Sequence, residues 1–266
     1  MKPDWHFESR GRGPALLLLH GLGASSFSWR HNLAPLARHF RVVAPDLPGH
    51  GRSPAPLDGY YRLEALARGV MDFLDRRGVK HAAVAGNSLG GSLALLLARD
   101  YPQRVKALIL LAPAVALKRL PWIFYPLRLP GLGLLAAALL GPWIIPVALR
   151  LIYHRLGLIT PAVVAGYGAP YRQWRRRLAL RRLCRQLQIP PVSEIEDLLK
   201  KISQPTAIVW GQEDRILPVA QAAWLQARLP QARLRLLPET GHAPQEEAPA
   251  MVNKIIIDFL TQSLIN

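Results

Sequence analysis

The sequence predicts an α/β fold, in which a mostly parallel, doubly wound sheet is interrupted by an inserted helical cap. Short apolar runs alternate with stretches of helical periodicity, the pattern of a parallel sheet covered by helices on both faces. The alternation stops between residues 114 and 204 and then resumes. We therefore expect a main domain formed by residues 1–113 and 205–266, and a helical cap formed by residues 114–204.

Six short apolar runs are the candidate strands of this sheet. They lie at residues 15–19, 41–44, 82–85, 107–111, 206–210 and 233–237. Apolar residues between the runs recur at helical spacing, as in Leu63, Leu66, Ala67 and Val70, and again in residues 252–260. These stripes predict helices that bury one face against the sheet.

Charge and composition exclude several classes of protein. Half of the 266 residues are hydrophobic, which excludes a disordered chain, and 34 Lys and Arg against 17 Asp and Glu give a net charge of +17. Residues 114–204 hold 14 of the basic and 3 of the acidic residues, a net of +11. No recognised motif for nucleic acid accompanies this charge, which argues against such a partner. Peripheral contact with an anionic membrane surface remains open.

The single cysteine, Cys184, excludes an intramolecular disulfide, and no Cys and His cluster has the spacing of zinc ligands. We expect no metal and no organic cofactor. The apolar run at residues 15–19 is too short for a signal-peptide core and follows Arg10 and Arg12. The sequence therefore predicts a cytoplasmic protein, with a peripheral position at the inner face of a membrane left open.

The strongest motif is Gly86-Asn87-Ser88-Leu89-Gly90, between a predicted strand and a predicted helix. A nucleophile elbow requires this context, because a sharp strand-to-helix turn presents the serine hydroxyl at the carboxyl end of the sheet. The alternative is a glycine-rich turn without catalytic meaning. The context favours Ser88 as a nucleophile.

A second element, His20-Gly21-Leu22-Gly23, follows the first predicted strand. Its small residues allow backbone N–H groups to face the site opposite the serine. We expect the N–H groups of Leu22 and Leu89 to form an oxyanion hole. We interpret His20 as a structural hydrogen-bonding residue.

An acid and a histidine complete the candidate site. Glu213 and Asp214 follow the strand at residues 206–210, and both compete for the role of orienting acid, with Asp214 favoured. His242 lies on the loop before the last predicted helix. The chain order Ser88, Asp214, His242 is the order of the serine, acid and base in folds with this elbow.

These elements resemble the α/β-hydrolase superfamily over essentially the whole chain, including the loop at residues 46–53. Asn87 and the segment 210–218 are similar to meta-cleavage product hydrolases and related capped esterases. Carbon–carbon hydrolases of that group commonly carry a Trp just after the catalytic His, whereas Ala243 stands here. A serine at the elbow, where dehalogenases and epoxide hydrolases of this fold carry Asp, implies acyl transfer.

The resemblance therefore implies a serine hydrolase that cleaves carboxylic esters of hydrophobic acyl or aryl groups. Its alternatives are a carbon–carbon hydrolase or a thioesterase of the same fold. From a different class, a binder of lipid or another hydrophobic ligand that has lost catalysis also remains open.

Within the cap, residues 129–149 are uncharged, which passes the length threshold for a membrane span. Prolines and glycines inside the run favour short cap helices instead. We expect the cap to line a substrate pocket with aromatic side chains, or merely to pack on the main domain. The candidate pocket residues are Trp122, Phe124, Tyr125 and Trp143.

A second cap segment, residues 171–188, is rich in arginine. If it is helical, Leu180, Leu183, Cys184 and Leu187 form one packed stripe, and most arginines lie on the remaining side. That side would either meet phospholipid headgroups or be simply solvated.

Overall fold

A computed structural model of the protein describes residues 4–56, 61–115, 117 and 121–265. Its seven strands form one sheet in the order β1-β3-β2-β4-β5-β6-β7, in which β1 is antiparallel and all other pairs are parallel. The strands are β1 (Phe7–Arg10), β2 (Ala15–Leu19), β3 (Arg41–Pro45), β4 (Ala82–Asn87), β5 (Val105–Leu111), β6 (Thr206–Gly211) and β7 (Arg233–Leu237). The predicted fold class, a mostly parallel and doubly wound sheet, is confirmed.

All six predicted strands are present, and β1 is the one that the sequence did not reveal. It pairs only with β3, with Phe7 opposite Pro45 and Arg10 opposite Val42. Its four residues are partly or fully exposed, so it carries no apolar run. An edge strand of this kind lacks the signal that burial on both faces gives to the central strands.

Helices cover both faces of the sheet. Those of the main domain are α1 (Leu33–Leu36), α2 (Leu63–Asp75) and α3 (Leu89–Asp100), followed after the cap by α9 (Ala220–Arg228), α10 (Pro244–Glu247) and α11 (Pro249–Ile265). Alternate strand residues point to opposite faces: Leu17 and Leu19 pack with α2 and α3, whereas Leu16 and Leu18 pack with α1 and α11.

The sheet is interrupted between β5 and β6, where residues 121–204 form helices and turns without a strand. The α-helices are α4 (Leu132–Leu139), α5 (Ile145–Ile152), α6 (Pro161–Gly168), α7 (Trp174–Gln186) and α8 (Val192–Leu199). Short 3₁₀ segments lie at Trp122–Arg128, Pro142–Ile144, Leu156–Leu158 and Ala169–Arg172. Several of these cap elements begin with or contain proline, which fixes φ and removes a backbone donor.

The long uncharged run divides into two helices, α4 and α5, with a break at Gly141 and Pro142. Gly141 is extended, and Pro142 opens the 3₁₀ turn that leads into α5. No single helix of the described chain is long and apolar enough to cross a membrane; α4 and the segment 142–152 meet the test only together, bent by 83°.

The arginine-rich segment forms α7, and its predicted stripe is buried at Leu180, Leu183 and Cys184. Of the seven arginines of this segment, only Arg176 and Arg181 are buried, so most of them lie outside the packed stripe, as expected. Arg181 packs against Gly133 of α4, where its Nε would lie 3.0 Å from a Cβ on that glycine. Part of the basic charge of α7 is thus enclosed within the cap.

Candidate active site

Ser88 sits at the turn between β4 and α3 in a strained backbone conformation. Its φ is 54° and its ψ is −116°, a combination that non-glycine residues rarely adopt. Its N–H donates to Leu111 O at 3.0 Å, and its carbonyl accepts from the N–H groups of Gly91 and Ala114. The hydrogen bonds on both sides hold the strained turn in place.

Glycines around the serine allow the close packing of this turn. A Cβ on Gly86 would lie 2.2 Å from Gly90 O, and one on Gly90 would lie 2.2 Å from Leu19 O. Both distances are far below a van der Waals contact, so no side chain fits at either position. The glycines therefore let the start of α3 pack directly against β2 and β4.

Asp214 and His242 form a buried pair at the ends of β6 and β7. Asp214 Oδ2 lies 2.8 Å from His242 Nδ1, and both side chains are almost inaccessible to water. The second oxygen, Asp214 Oδ1, accepts the N–H groups of Ile216 and Leu217 at 2.8 and 2.9 Å. Glu213 is exposed, and within the described residues its carboxylate makes no hydrogen bond to His242. Of the two acids that the sequence left in competition, the structure therefore brings only Asp214 to the histidine.

The loop that carries His242 is fixed to the cap through its backbone. His242 N–H donates to Ile152 O at the end of α5, at 2.8 Å. The Glu247 carboxylate accepts the Gly241 N–H on the loop, and also the N–H groups of His154 and Arg155 in the cap, at 2.7 to 3.0 Å. Burial raises the pKa of the Glu247 carboxyl, while these N–H groups act in the opposite direction.

Asn87 links the serine turn to the histidine loop. Its Nδ2 donates to Leu111 O and to His242 O, each at 3.1 Å, and its Oδ1 accepts from Gln245 Nε2 at 3.4 Å. The side chain is buried. The residue before the serine thus positions the backbone of the histidine, a role that the motif alone did not indicate.

Ser88 and His242 both line one large cavity beneath the cap, as do Leu22 and Leu89. In the described part of the chain, Ser88 Oγ makes no hydrogen bond with His242; such contacts are often loose before substrate binds. Within the same residues, the N–H groups of Leu22 and Leu89 have no protein acceptor. Two residues of the cavity wall that also contains the serine therefore carry free backbone donors.

The cavity has a volume of about 840 Å³ and a largely apolar lining. The 3₁₀ segment Trp122–Arg128 contributes Phe124 and Leu127 to this lining. Helix α5 contributes most of its residues to the lining: Ile145, Val147, Ala148, Leu149, Leu151 and Ile152. Trp122 also lines the cavity, as the sequence predicted.

Two of the four predicted pocket residues lie elsewhere, and this prediction is wrong for them. Tyr125 is 53% exposed and Trp143 is 65% exposed, and neither contributes to the cavity wall. Trp143 lies against Gly141, with its Cδ1 2.9 Å from a Cβ placed there. Its neighbours Ile144 and Ile145 occupy the inward side instead.

A buried ion pair on α10 was not anticipated from the sequence. Glu246 on α10 forms an ion pair with Arg30 and accepts a hydrogen bond from the Tyr167 hydroxyl. Both Glu246 and Tyr167 line the cavity. Burial raises the pKa of Glu246 and of Tyr167. Because its partners lie far apart in the chain, the pair left no local signal in the sequence.

His20 has the structural role that the sequence indicated. Its Nδ1 donates to Gly21 O at 2.8 Å, and its Nε2 accepts the Leu47 N–H at 2.9 Å. Its ring packs on His50, with centroids 4.9 Å apart. Burial, and secondly the neighbouring His20, lower the pKa of His50 to about 3. Among the described residues, no group of three or more His, Cys, Asp or Glu side chains is arranged to hold a metal ion.

Comparison with known proteins agrees with this geometry. The model of the alpha/beta hydrolase family matches residues 16–255. The chain is 31% identical to 2-hydroxy-6-oxo-6-phenylhexa-2,4-dienoate hydrolase of Burkholderia cepacia, over 96% of this chain and 90% of that one. It is 33% identical to the pimeloyl-[acyl-carrier protein] methyl ester esterase of Nitrosomonas europaea, over 90% and 92%. A solved thermophilic esterase from Thermogutta terrifontis superposes with a TM-score of 0.80 at 27% identity, over 97% and 93%. This chain belongs to the alpha/beta hydrolase family and is a hydrolase.

Proposed function

We propose that the protein is a serine hydrolase that cleaves carboxylic esters of hydrophobic acyl or aryl groups. The observation that carries the proposal is the strained Ser88 turn, which opens on the same apolar cavity as the buried pair of His242 and Asp214. Each of these features costs stability or demands close packing. Together they provide a nucleophile, a base and an orienting acid.

The proposed cycle has two steps. His242 Nε2 removes the proton from Ser88 Oγ as that oxygen attacks the ester carbonyl, and then delivers the proton to the leaving alcohol. A water molecule activated by the same imidazole hydrolyses the acyl-enzyme and releases the acid. Asp214 holds the proton of His242 on Nδ1 and stabilises the imidazolium that forms in each step. The free N–H groups of Leu22 and Leu89 are suited to stabilise the oxyanion.

The cavity supports a hydrophobic substrate of considerable length. Its wall follows α3 from Ser88 through Ser92 and Leu96 to Arg99. At about 1.5 Å per residue, this wall extends about 16 Å from the serine. An extended acyl chain of about thirteen carbons covers that distance, since each carbon adds about 1.25 Å. We therefore expect medium-length acyl esters to be the best substrates.

The second candidate is a carbon–carbon hydrolase. The similarity to the Burkholderia cepacia hydrolase of 2-hydroxy-6-oxo-6-phenylhexa-2,4-dienoate favours it. Comparing that compound with p-nitrophenyl esters of increasing acyl length separates the candidates. The ester proposal expects turnover of the esters, with an optimum near the length of the cavity. Turnover of the dienoate without turnover of any ester would refute the ester proposal and support the carbon–carbon hydrolase.

A fluorophosphonate probe tests the nucleophile directly. We expect the wild-type protein to be labelled and Ser88→Ala to be neither labelled nor active. Ser92→Ala is the matched control, because Ser92 also lines the cavity but uses its hydroxyl to donate to Ala114 O. This variant should still be labelled. Equal labelling of the wild type and Ser88→Ala would refute the proposal, and loss of labelling in the control alone would point to the wrong serine.

A further inference from the structure

Exposed large apolar side chains are concentrated in one stretch of the cap. Thirteen large hydrophobic residues are exposed in the described part of the chain, and eight of them fall between residues 122 and 147. We call these eight the cap surface. They are Trp122, Tyr125, Leu132, Leu134, Leu135, Leu139, Trp143 and Val147. A concentration of exposed apolar side chains of this kind is typical of an interaction site in a folded protein.

Helix α4 has its small residues inside and its leucines outside. Gly133 and Ala137 are buried, with Gly133 packed against Leu127 O and Arg181. Leu132, Leu135 and Leu139 lie on the opposite side of the helix, and each is more than half exposed. A helix that faces water carries polar residues on its outer side. The arrangement in α4 therefore fits a helix whose outer side contacts an apolar phase.

The charge beside this surface is positive. Residues 129–149 are uncharged, and Arg128 and Arg150 bracket them. Arg177 donates to Ala138 O at 3.1 Å, so its guanidinium lies at the carboxyl end of α4. Arg172 and Arg175 nearby in the chain are exposed. Apolar side chains beside arginines are complementary to a lipid surface with anionic headgroups. A second copy of the cap would instead bring two net charges of +11 together.

The cavity of the candidate active site reaches this surface. Trp122 and Val147 line the cavity and are also at least half exposed. The opening therefore lies among apolar side chains. Trp122, Tyr125 and Trp143 are also of the residue types that favour the boundary between lipid and water.

We propose that the cap surface docks on an anionic lipid membrane, so that an apolar ester enters the cavity directly from the lipid phase. The docking itself does not depend on the reaction. Only the statement about the entering ester rests on the proposed function.

Vesicle co-sedimentation tests the docking, and the Ser88→Ala variant allows it to be measured without catalysis. We expect binding to vesicles of phosphatidylcholine with phosphatidylglycerol that exceeds binding to phosphatidylcholine alone by roughly tenfold or more. High salt should weaken this binding without abolishing it, because the leucines remain in contact with lipid. The comparison uses the unaltered cap, so its outcome does not depend on the folding of a cap variant.

Substitution of the outer leucines then identifies the surface. In Leu132→Gln/Leu135→Gln/Leu139→Gln, we expect binding to anionic vesicles to fall roughly tenfold or more. The matched control is Leu236→Gln/Met251→Gln, which alters two exposed apolar residues outside the cap and should bind like the parent. Circular dichroism checks that both variants fold.

Three results would overturn the proposal. One is binding that salt abolishes and the leucine substitutions do not change, which indicates attraction by charge alone. Another is an absence of vesicle binding. The third is a dimer in analytical ultracentrifugation that the leucine substitutions convert to a monomer while vesicle binding is unchanged. Vesicle binding by a protein that cleaves no ester would leave the docking intact and refute only the proposed function.

Discussion

Replacing Asp214 with Asn tests the proposed role of the acid, because the substitution changes one atom at a defined position. Asp214 Oδ1 accepts two backbone N–H groups, and Oδ2 lies 2.8 Å from His242 Nδ1. In the Asn variant, the amide oxygen must stay with the two N–H donors. The amide nitrogen therefore takes the position of Oδ2 and donates to Nδ1.

This donation reverses the tautomer of His242. With Nδ1 as acceptor, the proton of the neutral imidazole resides on Nε2, and the ring cannot accept the proton of Ser88. The same substitution in serine proteases costs about 10⁴ in kcat. We expect a loss of about 10³ to 10⁴ here, or about 4 to 5.5 kcal/mol at 1.36 kcal/mol per tenfold. KM should change little, since Asp214 does not line the cavity.

Steady-state hydrolysis of a medium-length p-nitrophenyl ester measures this loss. Glu213→Gln is the matched control, because it also converts an acid to its amide, one residue away, but at an exposed side chain. The control should retain the kcat of the wild type, and urea unfolding should show similar stability for both variants. A kcat for Asp214→Asn within tenfold of the wild type, or an equal loss in Glu213→Gln, would refute the assignment of Asp214.

Two further predictions concern stability, and urea unfolding measures both. Gly90→Ala places a Cβ 2.2 Å from Leu19 O, and we expect a loss of at least about 2 kcal/mol. Gly157→Ala, which meets no atom within 4 Å, should change stability by less than about 1 kcal/mol; equal effects would contradict the packing described at the turn. The second prediction concerns His50, whose pKa of about 3 lies below its ordinary value of 6.5. The unfolded chain therefore binds the proton first, and stability present above pH 6.5 is lost as the pH falls toward 3. For this one proton, the free energy of unfolding changes by about 1.4 kcal/mol per pH unit. In His50→Gln, we therefore expect the slope of the free energy of unfolding against pH to be smaller by that amount. An unchanged slope would contradict this prediction.

The central strands were predictable because burial on both faces requires apolar residues at successive positions, which gives continuous apolar runs in the sequence. Residues 16–19 of β2 and 107–111 of β5 are entirely buried, and no polar residue interrupts them. Strand β1 lacks this pattern because it pairs on one side only and is partly exposed. β1 and the central strands differ in their position in the sheet, which the local sequence does not indicate.

The candidate site was predictable where its chemistry imposes a local motif. The serine turn needs Gly86 and Gly90 for steric reasons, so it is visible in five residues. The sequence favoured Asp214 over Glu213 as the orienting acid but left both acids open. The distinction depends on the turn that follows, in which the N–H groups of Ile216 and Leu217 donate to Asp214. Likewise, the ion pair of Glu246 joins segments that are distant in sequence.

The cap was the least predictable part, because its elements are too short to show a period. By residue type, four aromatic side chains of the cap are suited to a pocket. Trp122 and Phe124 line the cavity, whereas Tyr125 and Trp143 do not. In a helix or 3₁₀ segment of three to eight residues, one position decides whether a side chain faces the cavity or the outside. Proline and glycine determine where each short element begins and ends. Such short elements show no hydrophobic periodicity from which their buried face can be predicted.

Helix α5 connects the three features on which the proposed function and the docking depend. It begins at Ile145, directly after the turn that carries Trp143 of the cap surface. Its inner side lines the cavity, and the carbonyl of its last residue, Ile152, accepts the N–H of His242. At about 1.5 Å per residue, the whole helix extends about 12 Å. A change of α5 that alters the fit of the acyl chain therefore also acts on the backbone of the proposed base. For this reason, we expect substitutions on its inner side to change kcat together with KM, rather than substrate preference alone.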